Sequence, residues 1–348
     1  MVETWYCIAW MVLGVYAVLD GRNFGAAAVR PIVASIADER RQVLDAIGPL
    51  WSWHEVWLLA AGGVLLLAFP TLLATGFAGY YLALFIVLWL LVLRGIALEV
   101  GAHIPHPLWQ GFWNFVLVGS SALLALLLGV ALGSLVRGVP LDARGEFTLP
   151  LFTNFGVRGQ VGLLDWYTLS TGVLALVVLA AHGATYLMLK TSGPLRERSR
   201  TTARRLWLAA IALGLIVAAE TRAVRPELWT AFGSRPLAWA SLAVAAAGSF
   251  AILSGLRAGT DRRASLGSSA LILGLVALHA AASFPEVLHS TLDPALSLTA
   301  DAAASRRESL VIALAWWSVA LALSVLWAFL AGRYARGRVG TEPPAASS

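Results

Sequence analysis

Arg94 stands alone among apolar residues in the run Leu91-Val92-Leu93-Arg94-Gly95-Ile96-Ala97-Leu98, and Glu99 follows five residues later. An ionisable side chain in such a stretch costs several kcal/mol in lipid unless it is paired or hydrated. Arg94 therefore has two readings: a tie to a carboxylate or carbonyls of a neighbouring helix, or a direct role toward protons or a cofactor. Five residues turn a helix by about 500°, leaving Glu99 about 140° round from Arg94, so the two need different partners. Asp20 closes the first apolar block and Glu55 opens the second. The two carboxylates can thus meet near one interface, across the segment between the blocks. Glu55 has a plainer reading as well, since a carboxylate at a helix N-terminus is favourable without any chemistry.

The six histidines raise the question of haem, whose usual axial ligand in membrane electron carriers is an imidazole. His182 and His279 fall inside apolar blocks, His54 at an interface, and His103, His106 and His289 in loops or at block ends. Two intramembrane histidines are too few for a four-ligand, two-haem arrangement, and a single buried histidine more often bonds a neighbouring helix. No haem is expected on this chain. Cys7 is the single cysteine, which excludes an internal disulfide, a CxxC zinc site and covalent haem attachment.

The elements that must position these residues are set by composition. Of 348 residues, 59% are hydrophobic and 13% charged, and the mean hydropathy is +0.77. No water-soluble fold of this size hides so much apolar surface, and the apolar residues come in blocks of about twenty, the length that crosses a bilayer as a helix. Hydropathy places nine spans, at about 4–20, 55–75, 78–98, 112–135, 164–189, 206–220, 237–256, 266–284 and 309–331. The expected fold is an all-α polytopic membrane bundle, one domain over 1–338. The first block lacks a basic lead and a small-residue cleavage site and reads as a retained span.

Residues 22–50 mix charges with Ile32, Ile36, Val43 and Ile47 at the spacing of an amphipathic surface helix. The connections 137–163 and 285–308 read as structured loops, and 339–348 as a disordered tail. Trp51, Trp53 and Trp57 fit an interfacial aromatic belt. Small residues, as in Ala60-Ala61-Gly62-Gly63 and Gly129 with Gly133, allow close helix contacts. The pI near 10 is no sign of nucleic acid, because the cations sit in short loops between spans. Sixteen Lys and Arg fall on one side of nine spans and eight on the other. The positive-inside rule then puts the N-terminus in the periplasm and the C-terminus in the cytoplasm of an inner membrane.

Several segments, in order along the chain, resemble subunit II of the cytochrome bd-type quinol oxidases. They include Tyr16-Ala17-Val18-Leu19-Asp20-Gly21, Ile47-Gly48-Pro49-Leu50-Trp51, Glu55-Val56-Trp57-Leu58 and Arg94-Gly95 with Glu99. Further on come Gly138-Val139-Pro140, Lys190-Thr191-Ser192-Gly193-Pro194-Leu195 and Ser290-Thr291-Leu292-Asp293-Pro294-Ala295. The resemblance implies a nine-helix subunit without haem, paired with a haem-bearing subunit I that holds haem b, haem d and the quinol site. It also implies a structural quinone in an apolar groove of subunit II, and in some members acidic residues on a proton route. Here Ser52-Trp53-His54 replaces the family's usual residues before Glu55, Asn23 stands where an Asp is common, and no arginine follows Glu99 within two residues, where the family often has one. His54, which titrates nearer neutrality than Asp, is positioned to substitute in a relay. The candidate polar residues are thus Asp20, His54, Glu55, Arg94 and Glu99. Two other classes stay in view: a secondary transporter using Arg94 and Glu99, and a structural subunit of a diverged complex without oxygen reduction.

Overall fold

The computed structural model describes residues 1–101, 103–156, 160–334 and 337–339. Its core is a bundle of long helices: α1 (Val2–Val33), α3 (Trp51–Ala68), α5 (Tyr81–Val100), α6 (Pro107–Arg137), α7 (Trp166–Lys190), α8 (Gly193–Val224), α10 (Pro236–Ala258), α11 (Asp261–Ser283) and α13 (Arg307–Tyr334). Short helices connect them: α2 (Ala37–Ile47), α4 (Pro70–Gly79), α9 (Glu227–Ser234) and α12 (Ala300–Ala303). Among the described residues, nine helical stretches are long and apolar enough to cross a membrane.

α7 is the hub. Two-thirds of its apolar window is buried, and it packs on α1, α6, α8 and α11. Its closest crossing is with α1, where the two backbones touch: a Cβ on Gly25 would stand 1.7 Å from the Leu179 carbonyl oxygen, and one on Gly183 would stand 2.0 Å from the Ala26 nitrogen. Only glycine permits that approach. By contrast α13 leaves Trp316, Leu323, Trp327 and Phe329 exposed.

Several boundaries differ from those that hydropathy marks. α1 does not stop near Asp20 but runs to Val33, because Asn23, Phe24, Gly25, Ala26 and Ala27 are buried within the bundle and nothing breaks the helix before Pro31 in its last turn. The amphipathic stretch is accordingly shorter, confined to α2 and a tight turn at Gly48–Leu50. The second block divides at Phe69, since Pro70 has no amide proton to continue α3 and instead starts α4. α8 begins at Gly193, well before its apolar block.

The loops after α6 and α11 cap one end of the bundle together. β1 (Glu286–Leu288) pairs antiparallel with β2 (Leu298–Thr299), and the Val139 amide donates to the His289 carbonyl at 2.9 Å. At the other end the Val339 amide donates to the Lys190 carbonyl at 2.8 Å. Residues 340–348, the rest of the tail expected to be disordered, lie outside the described residues.

Candidate functional site

The continuation of α1 past Asp20 brings that carboxylate inside the bundle, fully buried, facing α3 and α5. Arg94, two turns from the end of α5, is 1% exposed. Its guanidinium forks onto Asp20, with Nη2 donating to Oδ1 at 2.6 Å and Nη1 to Oδ2 at 3.0 Å. Nη1 also donates to Glu55 Oε1 at 2.9 Å, from the first turns of α3. One cation from α5 is thus shared by two carboxylates from two other helices, over the ring of Phe24 at 4.4 Å. Glu55 is the more open of the two acids, 26% exposed against none for Asp20.

His54, next to Glu55, is 1% exposed and enters the same cluster. Its Nδ1 lies 2.6 Å from Asn23 Nδ2, and its Nε2 lies 2.9 Å from Arg22 Nη2. Asn23 Nδ2 in turn donates to Asp20 Oδ1 at 3.1 Å. Asp20, His54, Glu55 and Arg94 therefore come together. Glu99 does not: it accepts from Trp51 Nε1 at 3.1 Å on the exposed side. Arg22 belongs to the cluster and sequence reasoning passed over it, because a cation just after an apolar block reads as an interfacial charge. The signal was its spacing from Asp20 and Asn23, which keeps all three within one turn of α1.

Two carboxylates around one guanidinium have the chemistry to hold a proton. Removing a carboxylate's charge leaves Arg94 still paired with the other acid, so the cluster tolerates two protonation states. Beside it, a cavity of about 670 Å³ opens between the turn before α3 and the end of α13, lined among others by Trp53, Tyr186, Lys190, Trp327 and Leu330.

The intramembrane histidines have protein partners. His182 engages Ser268 Oγ through Nδ1 at 2.7 Å and the Val18 carbonyl through Nε2 at 3.0 Å, and His279 packs edge-on against Trp10. Among the described residues no cluster of His, Cys, Asp and Glu is arranged to hold a metal ion.

A second charged cluster, which the sequence reading did not single out, lies at the opposite end. Arg137 at the end of α6 contacts Asp165 at 2.6 Å, the residue that caps α7 by accepting from the Tyr167 and Thr168 amides. Arg225, just past α8, donates to the Val136 carbonyl at 3.3 Å and to Glu286 Oε2 at 2.5 Å, and that same oxygen accepts from His289 Nδ1 at 3.0 Å. The spacing of Asp165 and Thr168 is a capping-box signal, but nothing in the sequence ties Arg225 to a loop sixty residues away.

The fold and the triad define an all-helical polytopic membrane protein with a buried, shared ion pair near one face. The sequence profile described as "Cytochrome bd terminal oxidase subunit II" matches residues 1–333, and the chain belongs to that family. A probable cytochrome oxidase subunit 2 of Haemophilus influenzae is 36% identical over 200 residues, 58% of this chain and 52% of the relative. Subunit 2 of the cytochrome bd-I ubiquinol oxidase of Escherichia coli is 33% identical over 57% of this chain and 52% of its own length. These two matches take in about half the length of each relative. Subunit 2 of the cytochrome bd ubiquinol oxidase of Bacillus subtilis is 27% identical over 89% of this chain and 88% of that one. A chain of the bd oxidase from Geobacillus thermodenitrificans shares the fold, with a TM-score of 0.69 over 95% of this chain and 98% of that one, at 17% identity.

Proposed function

We propose that this chain is the haem-free subunit II of a respiratory quinol:oxygen oxidoreductase in the bacterial inner membrane, seated beside a haem-bearing subunit I. In this reading the partner holds haem b and haem d and oxidises quinol. The complex reduces dioxygen to water, taking protons from the cytoplasm and generating a proton-motive force. The chain's own part is to support the partner and to hold protons at Asp20 and Glu55 around Arg94. Glu55, partly open, is the entry group, and buried Asp20 is the acceptor further in. The N-terminus faces the periplasm. The cavity beside Trp53 and Tyr186 suits a structural quinone, being mostly apolar with polar groups at its rim.

The observation that carries this reading is the sharing of one buried guanidinium by Asp20 and Glu55, within a chain of this family. A tagged chain purified from membranes is expected to bring down a second subunit with a haem spectrum and quinol-driven oxygen uptake. Asp20→Asn and Glu55→Gln are expected to lower proton uptake from the cytoplasmic side in reconstituted vesicles while the haem content stays. A tagged chain that purifies without haem-bearing partner or oxygen uptake refutes the assignment. Alkaline phosphatase fused after Arg200 is expected to be silent, and high activity there reverses the orientation.

A further inference from the structure

The arm that joins Arg22, His54, Asn23 and Asp20 contains one donor too many. A neutral imidazole offers one N–H and one lone pair, whereas a guanidinium only donates. Arg22 Nη2, 2.9 Å from His54 Nε2, therefore makes Nε2 the acceptor and places the ring hydrogen on Nδ1. That hydrogen points at Asn23 Nδ2, 2.6 Å away, which also donates. Protonating the ring makes matters worse, since Arg22 would then face a second N–H. Turning the Asn23 amide by half a rotation puts its oxygen opposite Nδ1–H, and the two ends of an amide have nearly the same shape. The oxygen then lies 3.1 Å from Asp20 Oδ1, a contact between two acceptors unless Asp20 carries a proton there and donates it. With Asp20 ionised, the amide must present its NH2 to Asp20, and His54 loses its acceptor. Among the described residues the buried Asn23 Oδ1 has no hydrogen-bond partner, so the half-turn of the amide breaks no bond of its oxygen.

We propose that Asn23 is a rotary coupler: its oxygen faces His54 when Asp20 is protonated and its NH2 faces Asp20 when Asp20 is ionised, so that His54 docks between Asn23 and Arg22 only in the protonated state. This rests on the reading of Asp20 as a proton-holding group. The two states differ by one proton, on Asp20 Oδ1. His54 keeps a single N–H throughout and the amide has none that titrates, so the arm transmits orientation and protons reach Asp20 from the Glu55 side. The groups around the arm are Tyr16 and Arg22 on α1, Glu55 on α3, Arg94 on α5, and His182, Tyr186 and Lys190 on α7. Arg22 lies over the Tyr186 ring at 4.8 Å, and Tyr186 lines the cavity. Proton occupancy at Asp20 is thereby reported to a cation that lies against a residue of the cavity wall. His54 and Asn23 are positioning residues.

The test uses the intact complex, labelled with ¹⁵N-histidine, in infrared difference spectra taken across a pH titration. Asp20→Asn identifies the Asp20 carboxyl band by its loss, and His54→Gln identifies the His54 ring band. In the parent the two bands are expected to titrate together. In Asn23→Leu the Asp20 band is expected to titrate still while the His54 band stays fixed. Should Asn23→Leu fail to assemble, Asn23→Asp, with an oxygen on either side when ionised, is expected to hold the His54 band fixed as well. A His54 band that ignores Asp20 in the parent, or that follows it unaltered in the variant that assembles, overturns the coupler. The readout needs no turnover, so absent oxidase activity would count against the proposed function alone.

Discussion

The two ends of the bundle solve the problem of a buried cation in opposite ways. At Arg94 one guanidinium is shared by two carboxylates on separate helices, so it has an acceptor in reserve. At Arg225 one carboxylate, Glu286, is shared by a guanidinium and an imidazole, and the acceptor is what is scarce. A site with a spare acceptor binds a proton without losing its tie. A site with a single carboxylate works as a clamp, here holding the loop after α11 to the end of α8. The reserve at the first end is what the proposed proton-holding role requires, and the clamp at the second fixes a loop to the bundle.

Removing the cation should separate the two ends most sharply. Arg94→Leu leaves Asp20 and Glu55 facing each other without compensation, a loss on the order of 3–5 kcal/mol for a buried pair broken on one side. The expected result is little or no assembled complex, measured by co-purified haem. Arg94→Lys keeps the charge but loses the planar fork, and should recover part of that assembly. Arg225→Leu should permit assembly, since its loss is confined to a loop. Equal yields from the two leucine variants would dissolve the distinction between the ends.

Removing an acceptor comes next. Asp20→Asn leaves Arg94 paired with Glu55, so the complex should assemble, yet quinol-driven turnover should fall by about tenfold or more if Asp20 handles protons. Glu286→Gln should do the reverse, leaving turnover near the parent's while freeing the loop. Here the expected change is about 1 kcal/mol in local opening, because Glu286 is 30% exposed and its pair is partly screened. Hydrogen exchange over 285–304 measures it. Unchanged protection there would mean that β1 and β2, not the ion pair, hold the loop.

The contrast between the ends also explains what the sequence discloses. The nine apolar blocks are legible because lipid imposes their length, and the isolation of Arg94 is legible because lipid penalises it. The 140° offset separated Arg94 from Glu99 correctly in geometric terms: the two residues have different partners. What stayed hidden is where a helix continues after its apolar run. Arg22 and Asn23 followed by the small Gly25, Ala26 and Ala27 interrupt the apolar run, and only packing against the neighbouring helices buries residues 23–27, so α1 reads as ended at Asp20 when it carries on for thirteen residues. Arg22 and Asn23 were overlooked as a working pair for that reason. The Arg225 clamp was hidden more completely, because the partner lies in a loop whose return path is set by tertiary packing.

The smallest expected effect concerns pH at the clamped end. His289 is half-buried outside the spans, and burial lowers its pKa from 6.5, with the Arg225 charge lowering it further and Glu286 opposing them. The folded loop therefore binds a proton at His289 less readily than the opened loop does. Stability from the neutral ring is fully present above the opened-state pKa of 6.5 and is lost as pH falls from there through the lower folded value. Protection of residues 285–304 against hydrogen exchange, corrected for the intrinsic rate, should accordingly be greater at about pH 7.5 than at about pH 5.5. His289→Gln should flatten that dependence, since glutamine keeps a donor for Glu286 without a titratable ring. A loop whose protection rises on acidification would show that Glu286 outweighs burial, giving His289⁺ the stronger bond, and the clamp would then tighten where a lid of neutral partners must loosen.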